Sequence, residues 1–418
     1  MKLLILGLNF TPELTGIGRY TSEMAAWFAQ RGHAVRVVTA PPYYPEWRIG
    51  EGYSGWRYRR EVWQGIEVWR CPLWVPKRPS AGKRVLHLAS FAAAGLPPAL
   101  RWSRWRPDWV IAVAPAFLSL PVALLAAYLS GTKCWLHIQD FEIDAALGLG
   151  MLNPGMPGRC VLSAERFLLR RCAMVSTISR SMQTRLVAKG VAEVRTFLLP
   201  NWADPSLAFD PQAAKRFRAR LGYREAEPLA LYSGNLGNKQ GLEIVPEVAS
   251  LLPQVQFVIC GEGAARGEIE GACAGLDNVR FLPLQAQEEL AGMLSAADVH
   301  LVLQRRGAAD RVLPSKLTNI LAVGGRPVVT ADADTELGRL VQTSPAVALL
   351  APPEDVEALA AAVLGVIRRG RLEGRCSAIA RNYAAKHLSR EAILRRLERR
   401  LQQRGRDAGT TGSSFSRK

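Results

Sequence analysis

The sequence predicts an α/β protein of two doubly wound, parallel-sheet domains with a cleft between them. Three observations carry this. The first half alternates apolar, strand-like runs with helical patterns. The alternation restarts after a polar, proline-containing stretch at 201–228. The chain has 418 residues, more than one hydrophobic core usually serves.

Taken in order, "KLLILGL" (2–8) and "AVRVVTA" (34–40) read as the first strands, apolar on both faces as buried parallel strands are. Between them a glycine turn, "NFTPELTGIGRY" (9–20), leads into a helix on which Met24, Trp27, Phe28 and Arg31 keep helical spacing; Gly32 ends it. "IEVWRCPLW", "WVIAVAP", "CWLHIQD", "AMVSTIS" and "TFLLPN" continue the series. The uncharged run 109–132 is long enough for a membrane span, but Pro115 and Pro121 divide it into a strand and a helix that Gly131 ends. The second series is "LALYSGN", "VQFVICGEG", "VRFLPL", "VHLVLQ", "RPVVTAD" and "AVALLAPP", and "REAILRRLERRLQQRGR" closes the chain as a basic amphipathic helix. The expected division is one Rossmann-like domain at 1–205 and a second at 206–380. A helix at 381–404 packs back towards the first domain, and a disordered tail covers 405–418.

Apolar residues at 49% and charged residues at 22% exclude a disordered or fibrous chain. Lys plus Arg number 54 against 36 acids, a net charge of +18 and a pI near 10.1. That excess suits an anionic partner: nucleic acid, anionic lipid or a phosphorylated substrate. Arginines on solvated faces would produce it too. Seven cysteines without a CxxC pair argue against a disulfide framework or zinc site and for a reducing compartment. "MKLLILGLNF" is too short an apolar run for a signal sequence, so the chain is expected in the cytoplasm.

Chemistry concentrates in the loops after strands. "LALYSGNLGNKQGLEIV" (229–245) runs from a strand through Gly234, Asn235, Gly237 and Lys239 into a helix. Glycines let backbone N–H groups approach a ligand, and a helix start with lysine suits a phosphate, although a tight structural turn would look the same. "ICGEGAARGEIE", with Glu262, is a second such junction. Ser315 and Lys316 open a third helix, from which Asn319 could reach a sugar hydroxyl or water. "WLHIQDFEID" places His137, Asp140 and Glu142 at a strand end, where His137 could assist a reacting hydroxyl or serve the core. "DAD" at 332–334 lacks a third ligand, so no metal site is expected.

These motifs together resemble the retaining glycosyltransferases of family 4, whose GT-B fold is two facing Rossmann-like domains with a cleft between. The similarity runs over nearly the whole chain, and "APPYYPEW", "VSTISRSM", "YSGNLGNKQGLE", "RRGAAD" and "LPSKLTNILAVGG" resemble the colanic-acid fucosyltransferase subgroup. The resemblance implies transfer of a sugar, fucose from GDP-fucose in that subgroup, from a nucleotide diphosphate to a polyprenyl-diphosphate-linked glycan, with no further cofactor. It places Gly16, Gly18 and Arg19 at one wall of the site, facing donor diphosphate and acceptor. His137 is set near the transferred sugar, with Asp140 and Glu142 on the acceptor side. Asn235 and Lys239 match a pair, usually Arg and Lys, that neutralises the diphosphate, so Lys239 is expected to be catalytic. Gly234, Glu262, Ser315, Lys316 and Asn319 complete the donor side. Two family glutamates spaced eight apart are replaced by Arg311 and Asn319, and Glu336 could supply a carboxylate nearby.

Between Lys77 and Arg106 the chain carries basic residues and no acid, around "VLHLASFAAAGL". Lys83, Arg84, Trp102 and Trp105 are the expected contacts with anionic lipid of the inner leaflet. A nucleotide-sugar epimerase on the same architecture is the nearest rival. A nucleic-acid-binding protein rests on charge alone, since no binding motif is present, and no nucleic-acid partner is expected. A nicotinamide dehydrogenase would need a full GxGxxG.

Overall fold

The apolar runs become parallel strands in two sheets. A computed structural model describes residues 1–418 except 14–15, 45, 79, 116, 145–154, 238–239, 307–314 and 412–418; at 81, 157, 315 and 405–411 it describes backbone only. Two compact units result: Met1–Leu199 with Leu397–Lys418, and Pro200–Arg396.

The first unit holds β1 (Lys2–Gly7), β2 (Ala34–Thr39), β3 (Arg59–Trp63), β4 (Ile66–Arg70), β5 (Trp109–Ala114), β6 (Lys133–Ile138), β7 (Met174–Thr177) and β8 (Thr196–Leu198). Their order is β3-β4-β2-β1-β5-β6-β7-β8. All neighbours pair in parallel except β3 with β4. Sequence reasoning misses β3, "RREVW", because an exposed edge strand carries charge instead of an apolar run. Its hairpin turns at Gln64 (φ 47°) and Gly65 (φ 79°), two positive angles that match the twist of the strands.

Helix α1 (Gly16–Gln30) follows β1, α2 (Ala81–Ser103) follows β4 and α3 (Leu120–Ser130) follows β5. The uncharged run 109–132 divides as expected: β5 is buried throughout, and Gly131 caps α3 in the left-handed region at φ 65°. No helix among the described residues is long and apolar enough to cross a membrane.

The second unit holds β9 (Leu229–Ser233), β10 (Gln256–Cys260), β11 (Val279–Leu282), β12 (Val299–Val302), β13 (Pro327–Thr330) and β14 (Leu349–Ala351), all parallel, in the order β11-β10-β9-β12-β13-β14. Alternate residues enter opposite layers. Leu231, Val258 and Val329 pack with the helices at Pro211–Arg220 and Ser315–Ala322; Ala230, Tyr232, Phe257 and Val328 pack with Val356–Glu373.

In each sheet the chain reverses direction at one strand. β1 lies between β2 and β5, and β9 between β10 and β12. Loops that leave such a strand diverge and open a crevice at its carboxyl end, where ligands of open α/β sheets bind. Both glycine turns singled out in the sequence, 9–20 and 234–241, leave these two strands.

The C-terminal helix, Arg390–Thr411, runs beyond position 404, where a disordered tail is expected to begin; 412–418 lie outside the described residues. Tethers hold it in the first unit. Glu398 pairs with Arg31 (3.0 Å) and with His33 (2.7 Å), Arg404 donates to the Ala173 carbonyl, and Lys133 donates to the Arg404 carbonyl.

Candidate active site

In the first unit the loop after β1 is organised by a buried carboxylate. Glu13 accepts from Asn9 Nδ2 (2.8 Å) and from the N–H groups of Tyr43 (3.0 Å) and Tyr44 (3.1 Å). Burial raises its pKa, and those N–H groups oppose the rise. The glutamate thus ties the loop after β1 to the loop after β2. It also explains the glycines. A Cβ on Gly18 would lie 2.9 Å from Glu13 Oε2, whereas Gly16 has open space but φ +60°. One glycine is there for room and the other for backbone angle. Arg19 pairs with Glu23 one turn on at 2.7 Å.

His137 lies in β6, beside Val113 of β5 and Ser176 of β7. It is 4% exposed. Its Nδ1 is 2.9 Å from Ser176 Oγ, the hydroxyl that Trp135 Nε1 also reaches at 2.7 Å. Burial pushes its pKa down to about 4, so at neutral pH the ring is an uncharged hydrogen-bonding group. Asp140 is exposed at the strand end. Glu142 accepts from the Phe117 N–H at 2.9 Å, joining the loop after β6 to the loop after β5. Burial raises its pKa to about 7, with the Asp140 charge adding to the rise and the N–H opposing it.

In the second unit the loops after β9 and β10 zip together. The Gly234 N–H donates to Cys260 O, Leu236 N–H to Glu262 O and Ala265 N–H to Leu236 O, each at 2.9 Å. The approach is so close that a Cβ on Gly261 would fall 1.8 Å from Gly234 O, and one on Gly263 2.2 Å from Leu236 O. Lys316, from the first turn of Ser315–Ala322, reaches the same place. Its Nζ stands 3.9 Å from the Tyr232 ring centroid, and a Cβ on Gly234 would be 3.0 Å from it. Tyr232 in turn donates to Asn235 O at 2.7 Å, and Asn235 is exposed beside Gly237. Glycine backbone, a helix start and an ammonium therefore converge at the end of β9, a setting in which an anion is stabilised. Lys239, Arg311 and the Ser315 side chain lie outside the described residues.

Other expected residues have different surroundings. Asn319 Oδ1 accepts from the Asp204 N–H at 3.1 Å, so this amide holds the segment after Trp202 instead of facing solvent. Glu262, in the loop after β10, is paired with Arg266 at the start of the next helix at 2.8 Å, with its side chain 61% exposed. Glu336 opens the helix Glu336–Thr343 behind the Thr335 cap. Among the described residues no group of three or more His, Cys, Asp or Glu side chains could hold a metal ion.

The expected lipid contacts divide. Lys83 and Arg84 are exposed on the first turn of α2, beside Val85 and Leu86, which are 58% and 57% exposed. Trp102 is 6% exposed and packs edge-on against Trp69, so it offers no ring to a lipid surface. Trp105 is half-buried, with the Arg36 guanidinium 4.4 Å from its ring. The two rings pack on their own domain because α2 turns its last turns towards the sheet, where strand residues offer aromatic and cationic partners.

Comparison with known proteins agrees with this geometry. A family model described as "Glycosyl transferase 4-like domain" matches residues 15–202, and one described as "Glycosyl transferases group 1" matches residues 227–369. A protein of Escherichia coli (strain K12), described as a colanic acid biosynthesis glycosyl transferase, WcaI, is 48% identical over 405 residues, 94% of this chain and 98% of that one. The sucrose-phosphate synthase of Thermosynechococcus elongatus has a similar fold, with a TM-score of 0.72 at 17% identity over 96% of this chain and 98% of that one. Anabaena Alr3699/HepE, in complex with UDP, gives a TM-score of 0.68 at 17% identity over 96% of this chain and all of the other. Two Rossmann-like sheets, each with its glycine turn at the reversal strand, and a relative that matches almost end to end lead to one assignment: the chain is a GT-B glycosyltransferase and belongs to the family of the colanic acid biosynthesis glycosyl transferase.

Proposed function

We propose that this glycosyltransferase moves a sugar from a nucleoside-diphosphate donor to a hydroxyl of a polyprenyl-diphosphate-linked glycan, with retention of anomeric configuration, in exopolysaccharide assembly of the colanic-acid kind. The observation that carries the donor half is the convergence of the Gly234 and Gly261 loops with the Lys316 ammonium. When the glycosidic bond breaks, charge gathers on the leaving diphosphate. An ammonium already in position stabilises it without reorganising. Lys239 is assigned to the same anion from its place in the motif. His137, neutral at pH 7, is assigned to a hydroxyl of the transferred sugar and Glu142 to the acceptor side.

The polyprenyl carrier requires docking at the inner face of the membrane, which the exposed Lys83, Arg84, Val85 and Leu86 support. Fucose is the sugar we assign, on the subgroup resemblance and the colanic-acid relative. A thermal-shift series with GDP-, UDP- and dTDP-sugars tests the reading, because a ligand that binds only the native form raises the melting temperature. GDP-fucose is expected to give the largest rise. No rise with any nucleotide sugar would end the donor assignment.

A further inference from the structure

A cavity lies in the first unit, away from the glycine turn itself but walled in part by Arg70, which donates to the Thr11 carbonyl of that turn. It is about 270 Å³ in volume, and its lining includes Tyr53, Ser54, Arg57, Tyr58, Arg59 and Arg70. Three guanidiniums thus share one cavity wall.

Their arrangement is costly for folding. Arg59 and Arg70 stand directly opposite each other across the antiparallel β3–β4 pair. Like charges so placed repel. A single carboxylate offsets both: Glu61 is 2.7 Å from Arg70 and 3.4 Å from Arg59. Glu13, whose carboxylate also feels the Arg70 charge, is already held by Asn9 and two N–H groups. Arg70 is 1% exposed and also donates to the carbonyls of Ala40 and Thr11, so it is fixed in place by the loops after β1 and β2. The Tyr53 ring lies between the two, 5.1 Å from the Arg59 guanidinium and 5.0 Å from that of Arg70. Arg57 is exposed at the rim, with no ion pair or hydrogen bond among the described residues. On the same loop Trp56 is 81% exposed.

A positive excess, one guanidinium locked and one free, beside flat aromatic faces, is a set that binds rather than one that stabilises. Guanidiniums take the oxygens of carboxylates and phosphates through paired N–H bonds, and stacking on an aromatic ring holds the guanidinium plane in place for them. We infer that the Arg57–Arg59–Arg70 cavity binds an acidic saccharide through its oxyanion, so that the acceptor of this enzyme carries a carboxylate or phosphate on a sugar. Calling the ligand an acceptor rests on the glycosyltransferase reading. The cavity's preference does not, and it is measured without donor.

The test is isothermal titration of the full chain with glucuronic acid, glucose 6-phosphate, glucose and inorganic diphosphate. Both acidic sugars, or one of them, should bind, with glucose far weaker. Arg57→Gln, at a solvent-exposed side chain without partners, should weaken that binding about tenfold, the worth of one charge-assisted hydrogen bond. The thermal shift with the nucleotide sugar should be unchanged in the same variant. Equal binding of glucose, undiminished binding in Arg57→Gln, or diphosphate bound as tightly as the acidic sugars and weakened to the same extent by Arg57→Gln, would each overturn the inference. The last outcome would mark a bare anion site. Whichever of the two acids binds identifies the oxyanion. Loss of the donor shift in the wild-type chain would count against the donor reading and leave this result standing.

Discussion

Gly261 and Gly234 approach so closely that no side chain fits between them: a Cβ on Gly261 would sit 1.8 Å from the Gly234 carbonyl oxygen. With φ at +147° the position is also closed to ordinary residues by its backbone. Gly261→Ala is expected to force the two loops apart and cost several kcal/mol, and to abolish the nucleotide-sugar thermal shift. Gly267→Ala is the control. It lies a few residues on in the helix Arg266–Ala272, with nothing within 4 Å of an added Cβ, and should be neutral or stabilising by up to about 1 kcal/mol. Equal effects of the two changes would refute the packing argument.

Lys316→Met and Lys239→Ala should each lower turnover on the order of a hundredfold, as loss of one preorganised donor to a developing anion typically does. The melting temperature should stay within a few degrees. A variant that keeps near-normal turnover removes that lysine from the mechanism.

Buried titratable groups set two opposite pH dependences. His137 and His300 are each pushed down to about 4 by burial, from an ordinary 6.5. Between those values the unfolded chain binds more protons than the native one, so stability is lost as pH falls from 6.5 to 4, by up to about 3 kcal/mol per ring. His137→Asn should flatten that slope in urea unfolding.

Glu142 works the other way. Its pKa is raised to about 7, so the native state disfavours the charged form, and stability is lost as pH rises from 4.5 to 7. Glu142→Gln keeps an acceptor for the Phe117 N–H and should be more stable than wild type at pH 8, with the gain absent at pH 4. A gain that is the same at both pH values would show that the carboxyl is not shifted.

Val85→Asp with Leu86→Asp should abolish co-sedimentation with vesicles rich in anionic lipid, and Lys83→Glu should weaken it more at low salt than at high. Trp102→Phe should leave it unchanged, since that ring is buried. Wild-type binding that is equal for neutral and anionic vesicles at every salt concentration would contradict the docking surface.

Local pattern was enough to determine much of this protein. Buried parallel strands are apolar on both faces, so thirteen of the fourteen described strands are visible as Val-, Ile- and Leu-rich runs, and glycines at strand ends mark both turns that leave β1 and β9. The edge strand β3 escapes because its alternation carries charge. What only tertiary structure decided is which side chains the turns bring together. Glu13 sits in a loop without periodicity, and nothing local reveals that it is buried between Asn9, Tyr43 and Tyr44. Asn319 is aligned with the donor side by its motif, yet its oxygen is claimed by Asp204, 115 residues earlier. Trp102 carries an interfacial residue type in a basic stretch, yet packs on Trp69. Arg59 and Arg70 become neighbours only through the β3–β4 register. Periodicity encodes which face of an element is buried; partners distant in sequence are set by strand order and register, which no short window of residues contains.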